Sequence, residues 1–348
     1  MRGIIPHSLA LLLGLLLLLT SLASVPCVPR TVHSSETSLK LNLDTILHHM
    51  QILSSFQSRV PGYPGAKKAR EYLVTKLEEY GLEVMVQEFK MAMPVDEGSY
   101  IRVGSTRFKA YALWPNGVQT CSTPKGEITG RLVYVGRGSL EDLNGMHLKN
   151  TIALMEFNSG MNWLNLMKLG ARAVIFIEPG DTNMYEALKK AVPVPIYFPR
   201  LYVNRTTGLK LRQLAERGVE VGVHVGMSWK QVSAHNIIAV IPGSESPNDI
   251  IVISAHYDSW SVVPALAPGG EDSLSASVLL ELARLLSKNR PRRTIWLLFH
   301  TGYYQAQTGI IEWVEKYLYG PQVQNGTIRI LLQAVSYTHL RAHETEAD

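Results

Sequence analysis

Apolar positions recur at helical spacing over residues 41–56, and again over 65–80, where Ala69, Leu73 and Leu77 stand four apart with charged residues between them. That pattern predicts two amphipathic helices. The intervening Arg59-Val60-Pro61-Gly62-Tyr63-Pro64-Gly65 is a turn by composition. Gly81 is a helix stop, and the alternation over 82–89 predicts a strand after it.

From Met93 to Lys230 the texture changes to short strands broken by Gly and Pro. One α/β passage stands out inside this block: strands at 130–136 and 151–157, a helix at 162–169 and a strand at 170–177. From Asn236 onward strands and helices alternate, which predicts a mostly parallel sheet flanked by helices. Strands are expected at 236–241, 249–255, 294–300 and 328–335, with helices at 273–286 and 310–319. The run 294–300 is continuously apolar and suits the centre of a sheet. No internal repeat or low-complexity segment interrupts the chain.

Composition adds a compartment to this picture. Arg2 is followed by no charged residue until Arg30, residues 9–25 are almost wholly apolar, and Ser21 and Ala23 offer a small-x-small cleavage pattern. Residues 1–23 therefore read as a signal peptide, or as an uncleaved signal anchor attached to the membrane, since a run of about 17 residues is at the short limit for spanning a bilayer. The protein is expected to be secreted or membrane-anchored, outside the cytosol. In that oxidising setting Cys27 and Cys121 are able to pair. Asn204-Arg205-Thr206 and Asn325-Gly326-Thr327 fit the glycosylation acceptor pattern. The net charge of +5 is spread along 348 residues, and Lys288, Arg290, Arg292 and Arg293 read as a solvated turn. A nucleic-acid partner is not expected.

Ligands of open α/β sheets bind beyond the carboxyl ends of the strands, so chemistry is sought there. Ala255-His256-Tyr257-Asp258 closes one strand: a His able to ligate a metal, with a carboxylate two residues on to orient it. By itself the pair reads better as a piece of hydrogen-bonded structure than as a metal site. Pro268-Gly269-Gly270-Glu271-Asp272 then opens a helix with adjacent carboxylates, which either cap the first turn or hold a cation. No Gly-x-Ser-x-Gly elbow occurs, so a serine hydrolase has no support.

These segments together resemble the di-zinc aminopeptidase superfamily, metallopeptidase family 28. Its members carry His-x-Asp at a strand end, then Pro-Gly-Ala-Asp-Asp leading into a helix. The resemblance extends to Ser54–Gly65 and Ala69–Phe89, and the block 93–230 is similar to the protease-associated domain inserted in several secreted peptidases. It implies an α/β domain made discontinuously from 37–92 and 231–336, with a β-rich protease-associated insertion at 93–230 and a polar tail of doubtful origin at 337–348. It also implies that His256 is a zinc ligand, that Asp258 sits beside the metal, that Glu271 takes the metal-bridging position with Asp replaced by the longer Glu, and that Asp272 matches the second acidic residue.

The strand Arg293–Phe299 is followed in the family by Phe-Phe-Gly-Ala-Glu-Glu, where one Glu is the general base and the next a zinc ligand. Here Tyr303 and Tyr304 stand at those two positions. A phenol titrates near 10, so at neutral pH it donates a hydrogen bond and does not take the proton of a zinc-bound water. His300, at the strand end, reads as hydrogen-bonded structure. No Asp closes the strand 328–335; in the tail, His339 and His343 have zincin spacing, but Leu340 stands where that motif needs Glu. A domain of this kind is expected to continue beyond Ser336, so its C-terminal part is expected to be truncated.

Two functional classes follow. One is a zinc-dependent aminopeptidase hydrolysing N-terminal peptide bonds. The other is a non-catalytic homologue that binds a peptide or protein ligand with zinc partly held or absent, as nicastrin, nicalin and the transferrin receptor resemble peptidases without acting as such. The two tyrosines favour the second.

Overall fold

The computed structural model describes residues 40–123 and 126–335. The signal stretch 1–23, Cys27 and the tail with His339 and His343 lie outside the described residues.

Two helices open the described chain, Leu43–Ser55 and Pro64–Glu79. The first is capped by Asn42, whose side chain accepts from the Thr45 amide; the second starts on Pro64, whose fixed φ suits a first helical position. The first turn of the second helix tolerates no side chain at Gly65, where a Cβ would lie 2.0 Å from the Ser58 carbonyl oxygen. The chain then enters β1, Glu83–Asp96, which runs seven residues beyond the expected strand end.

β1 belongs to a five-stranded sheet. Its other members are β9 (Met227–Ile241), β10 (Ser246–His256), β11 (Arg293–His300) and β12 (Arg329–Val335), in the spatial order β1-β9-β11-β10-β12. The sheet is mixed rather than mostly parallel: β10 pairs in parallel with β11 and β12, whereas β9 is antiparallel to both β1 and β11. The reason is topological. The chain leaves the sheet along β1 and returns along β9, in continuous register from Glu83 opposite Val240 to Asp96 opposite Met227. Strands that run out and back in this way are necessarily antiparallel.

Side-chain alternation gives the sheet two apolar faces. Ile237, Ala239, Ile295, Leu297 and Phe299 pack against the two N-terminal helices and the helix Asp272–Leu286. Ile238, Val252, Trp296 and Leu298 pack instead against Trp313, from the helix Thr308–Trp313 and the single π-helical turn Val314–Leu318 that continues it. The helices linking β10 to β11 and β11 to β12 thus cover opposite faces, the arrangement of a doubly wound sheet.

Between β1 and β9 the chain forms a closed barrel from β2 (Ser99–Val103), β3 (Thr106–Ala112), β4 (Ile128–Tyr134), β5 (Ile152–Glu156), β6 (Ala173–Ile177), β7 (Arg200–Val203) and β8 (Glu220–His224), in the order β2-β3-β7-β6-β5-β4-β8. Ile101, Leu132, Leu154, Ile175 and Leu201 fill its core. On the outer face, Ala153, Val174 and Phe176 form a second apolar layer with Trp163, Phe198, Val262 and Val263. Val262 and Val263 come from the loop after β10, so the barrel braces the segment between Asp258 and Asp272.

Candidate functional site

β10 and β11 end together, with His256 directly opposite His300 across a parallel pairing. The residues just past these two strand ends meet the start of the helix Asp272–Leu286. Asp258 is fully buried, and its two oxygens have separate tasks. Oδ1 faces His256 Nδ1 at 3.3 Å, while Oδ2 accepts from the amides of Gly302 at 2.9 Å and Tyr303 at 3.0 Å. One carboxylate therefore ties the β10 end to the loop after β11. In the neutral ring whose Nδ1–H points to Asp258, Nε2 keeps its lone pair, the polarity a metal-binding His requires.

The two tyrosines occupy the space in front of this pair. The Tyr303 ring stacks on the His256 ring with centroids 4.3 Å apart and planes 12° from parallel. Tyr304 meets His256 edge-on at 5.9 Å and donates its hydroxyl to Asp272 Oδ1 at 2.5 Å. The other Asp272 oxygen faces the Trp260 amide at 3.4 Å. Burial, followed by the neighbouring Asp272 carboxylate, pushes the Tyr304 phenol above its ordinary range, so it remains a donor at neutral pH. Behind them His300 is buried, with Nδ1 lacking a hydrogen-bond partner; burial holds the ring neutral, with a pKa lowered to about 4. The expectation that hydrogen bonds hold this His is thus not met at Nδ1.

A residue that sequence reasoning missed organises the approach to the helix. Arg59 is completely buried, and its guanidinium donates only to main-chain carbonyls: Tyr257 and Leu53 at 2.8 and 3.0 Å, Pro268 and Gly269 at 2.5 and 2.9 Å. Its amide is bonded to Ser259 Oγ at 3.0 Å. Burial lowers the Arg59 pKa, and the carboxylates of Asp272 and Asp258 oppose that shift. Arg59 thereby fixes the Pro268–Gly269 loop against β10. Gly269, at φ +54°, is required there because a Cβ would approach Asp272 Oδ2 to 2.7 Å. The turn-like composition around Arg59 suggests solvent exposure, and nothing in its sequence neighbours marks it as buried.

Of the residues expected to meet, His256, Asp258, Asp272, Tyr303 and Tyr304 form one contiguous cluster. Glu271 does not join it: it is exposed and precedes the helix with φ −66° and ψ −39°, and no side-chain hydrogen bond or ion pair links it to the others. Among the described residues, no three His, Cys, Asp or Glu side chains are grouped so as to hold a metal ion. A pair of zinc ions needs several carboxylate and imidazole donors converging on it. Among the described residues one candidate carboxylate oxygen is already bonded to a phenol and both family glutamate positions carry phenols, so the donor set does not fit a di-zinc centre. The other expected chemical groups are separate: Cys121 is buried against the Ile196 carbonyl with no disulfide partner among the described residues, and Asn204 caps the helix Arg205–Glu216.

Residues 236–303 match the family model described as peptidase family M28. A probable zinc metalloprotease of Leptosphaeria maculans is 39% identical over 84 residues, 22% of this chain and 19% of that protein. Carboxypeptidase Q of Xenopus laevis is 29% identical over 108 residues, 30% of this chain and 23% of the relative. Transferrin receptor protein 1 of Gallus gallus is 36% identical over 115 residues, 31% of this chain and 14% of that receptor. The matched stretches therefore span less than a quarter of these curated relatives. Among solved structures, a zinc aminopeptidase from Bacillus subtilis shares the fold with a TM-score of 0.52 at 19% identity, over 80% of this chain and 66% of that one. The likeness to the family 28 superfamily holds on these grounds.

Proposed function

We propose that this chain, related to the family 28 peptidases through its segment 236–303, is an extracytosolic homologue that keeps the peptidase scaffold without the reaction and binds a peptide or protein ligand. The carrying observation is the 2.5 Å hydrogen bond from Tyr304 to Asp272 Oδ1, at the position where the resemblance implies a carboxylate. With Tyr303 over His256, both family glutamates are replaced by groups that neither accept a proton at neutral pH nor hold zinc well. On this reading zinc is absent, or held partially by His256 and Asp272. The closed barrel is consistent with a protease-associated insertion at 93–230 within a domain built from 37–92 and 231–336. The apolar stretch at 9–25 supports passage out of the cytosol; among the described residues no helix is long and apolar enough to cross a membrane.

A zinc-dependent aminopeptidase is the competing reading, favoured by the names of the metalloprotease relatives. Hydrolysis of aminoacyl-nitroanilides separates the two. The unaltered protein is expected to release no nitroaniline above background with zinc present. Clear turnover that disappears in His256→Ala would establish the enzyme instead.

A further inference from the structure

A second concave surface lies by the carboxyl ends of β10 and β11, where Tyr257 and Thr301 line it. It encloses about 520 Å³ between the start of the helix Pro64–Glu79 and the middle of β9, with Tyr63, Pro64, Ala66, Lys67, Arg70 and His235 among its lining residues. Most of this wall is apolar. Its polar groups are Ser233, His235 and Thr301 and, one helical turn apart, the cations Lys67 and Arg70.

Arg70 is the notable group. Its side chain is only 25% exposed, and the carboxylate paired with it, Glu71 at 3.9 Å, is itself 54% exposed and is shared with Lys67 at 3.7 Å. The short contact of Arg70 is with a ring nitrogen, Nη1 to His235 Nε2 at 2.7 Å. A guanidinium has only donors, so His235 must accept through Nε2 and be neutral. Burial, with Arg70 next, lowers the His235 pKa and keeps it so. Glu88, the other carboxylate near this face, is engaged by Ser233 at 2.7 Å and Lys90 at 3.3 Å. The region thus holds three cations, Lys67, Arg70 and Lys90, against two carboxylates, Glu71 and Glu88. A half-enclosed guanidinium turned to a neutral acceptor retains donors for a planar anion, and the planar fork of Arg matches a carboxylate.

We infer that this groove binds a peptide carboxylate through Arg70 and Lys67, with the adjoining apolar residue of the peptide against the Tyr63 and Pro64 wall. The carboxylate is either a chain terminus or an acidic side chain; both present the same two oxygens. The inference rests on the peptide-binding part of the proposed function and gives it a location.

The test is fluorescence anisotropy with the full chain and three peptides carrying an N-terminal fluorescein, which blocks aminopeptidase cleavage: Ala-Phe-Leu with a free carboxylate, its amide, and Ala-Glu-Leu amide. At low salt at least one carboxylate-bearing peptide is expected to bind ten-fold or more tightly than the Ala-Phe-Leu amide. Which of the two does so identifies the source. Arg70→Gln is expected to abolish that preference, and Arg70→Lys to retain part of it, with thermal melting checking that each variant folds. Equal affinity of both carboxylate-bearing peptides and the Ala-Phe-Leu amide for the unaltered protein overturns the inference, as does a preference that survives in folded Arg70→Gln. If Arg70→Gln fails to fold, Lys67→Gln, whose side chain is 71% exposed, replaces it and must at least halve the preference. Nitroanilide turnover would overturn the non-catalytic reading while leaving this result standing, so the two failures are distinct.

Discussion

The Tyr304 hydroxyl reaches back from the loop after β11 to donate to Asp272 Oδ1 at the first residue of the helix Asp272–Leu286, joining the ends of two successive elements. Tyr304→Phe removes the donor and leaves a half-buried carboxylate oxygen short of a partner. The expected cost is about 1–3 kcal/mol, the range for loss of a hydrogen bond to a charged group. Urea unfolding of the two proteins measures it, and an unchanged midpoint would mean the bond contributes nothing.

Arg59 bonds four main-chain carbonyls from inside the protein, so its loss leaves several acceptors without donors at once. Arg59→Met is expected to destabilise by roughly 3–5 kcal/mol, in line with breaking a buried charged network. Arg59→Lys keeps the charge but not the fork of donors, and should recover little. Chemical denaturation of both variants decides between a clamp and a replaceable charge: near-equal stability of Arg59→Lys and the parent excludes the clamp.

Much of the α/β part is legible from the sequence. Ala69, Leu73 and Leu77 all become completely buried, and the continuous run 294–300 is indeed a central strand, because helical periodicity and two-sided burial are local signals. The length of β9 is not legible: 227–235 is largely polar, and only its pairing with β1 makes it a strand. That same ribbon turns an expected mostly parallel sheet into a mixed one. In the site, His256, Asp258 and Asp272 can be found because they follow strand ends or open a helix, whereas Arg59 depends on carbonyls up to 210 positions away. Glu271 is placed by resemblance alone, and the helix start turns it outward from the cluster.

His49 provides a pH test away from the site. Burial, then the neighbouring His48, lowers its pKa from 6.5 to about 4, and the Tyr72 hydroxyl lies 2.5 Å from Nδ1. The unfolded chain takes up a proton near pH 6.5 while the folded chain does not. The stability from neutral His49 is therefore complete above pH 6.5 and is lost as pH falls towards 4. That interval corresponds to roughly 3 kcal/mol. Unfolding free energy followed from pH 7 to 4 should fall accordingly, and His49→Gln should flatten the decline; an identical slope in the variant would remove His49 from the account.

Close approach at the first turn is tested with one methyl group. A Cβ on Gly65 would lie 2.0 Å from the Ser58 oxygen and 2.2 Å from that of Phe56, both main-chain atoms. Gly65→Ala should cost more than about 3 kcal/mol or prevent folding, because the Phe56–Ser58 backbone that leads into Arg59 must move. Gly180 serves as the control: a methyl group added there would meet no heavy atom within 4 Å, and its φ is not positive. Gly180→Ala should stay within about 0.5 kcal/mol of the parent. Comparable melting points for the two variants would contradict this packing.

The central claim concerns the donor set around His256 and Asp272, and zinc stoichiometry tests it most directly. Elemental analysis of the purified full chain, after exposure to zinc and removal of loosely held metal, should give well below two zinc ions per chain. Tyr303→Glu combined with Tyr304→Glu, restoring the two carboxylates, should raise that value. Two tightly held zinc ions in the unaltered protein would contradict the account.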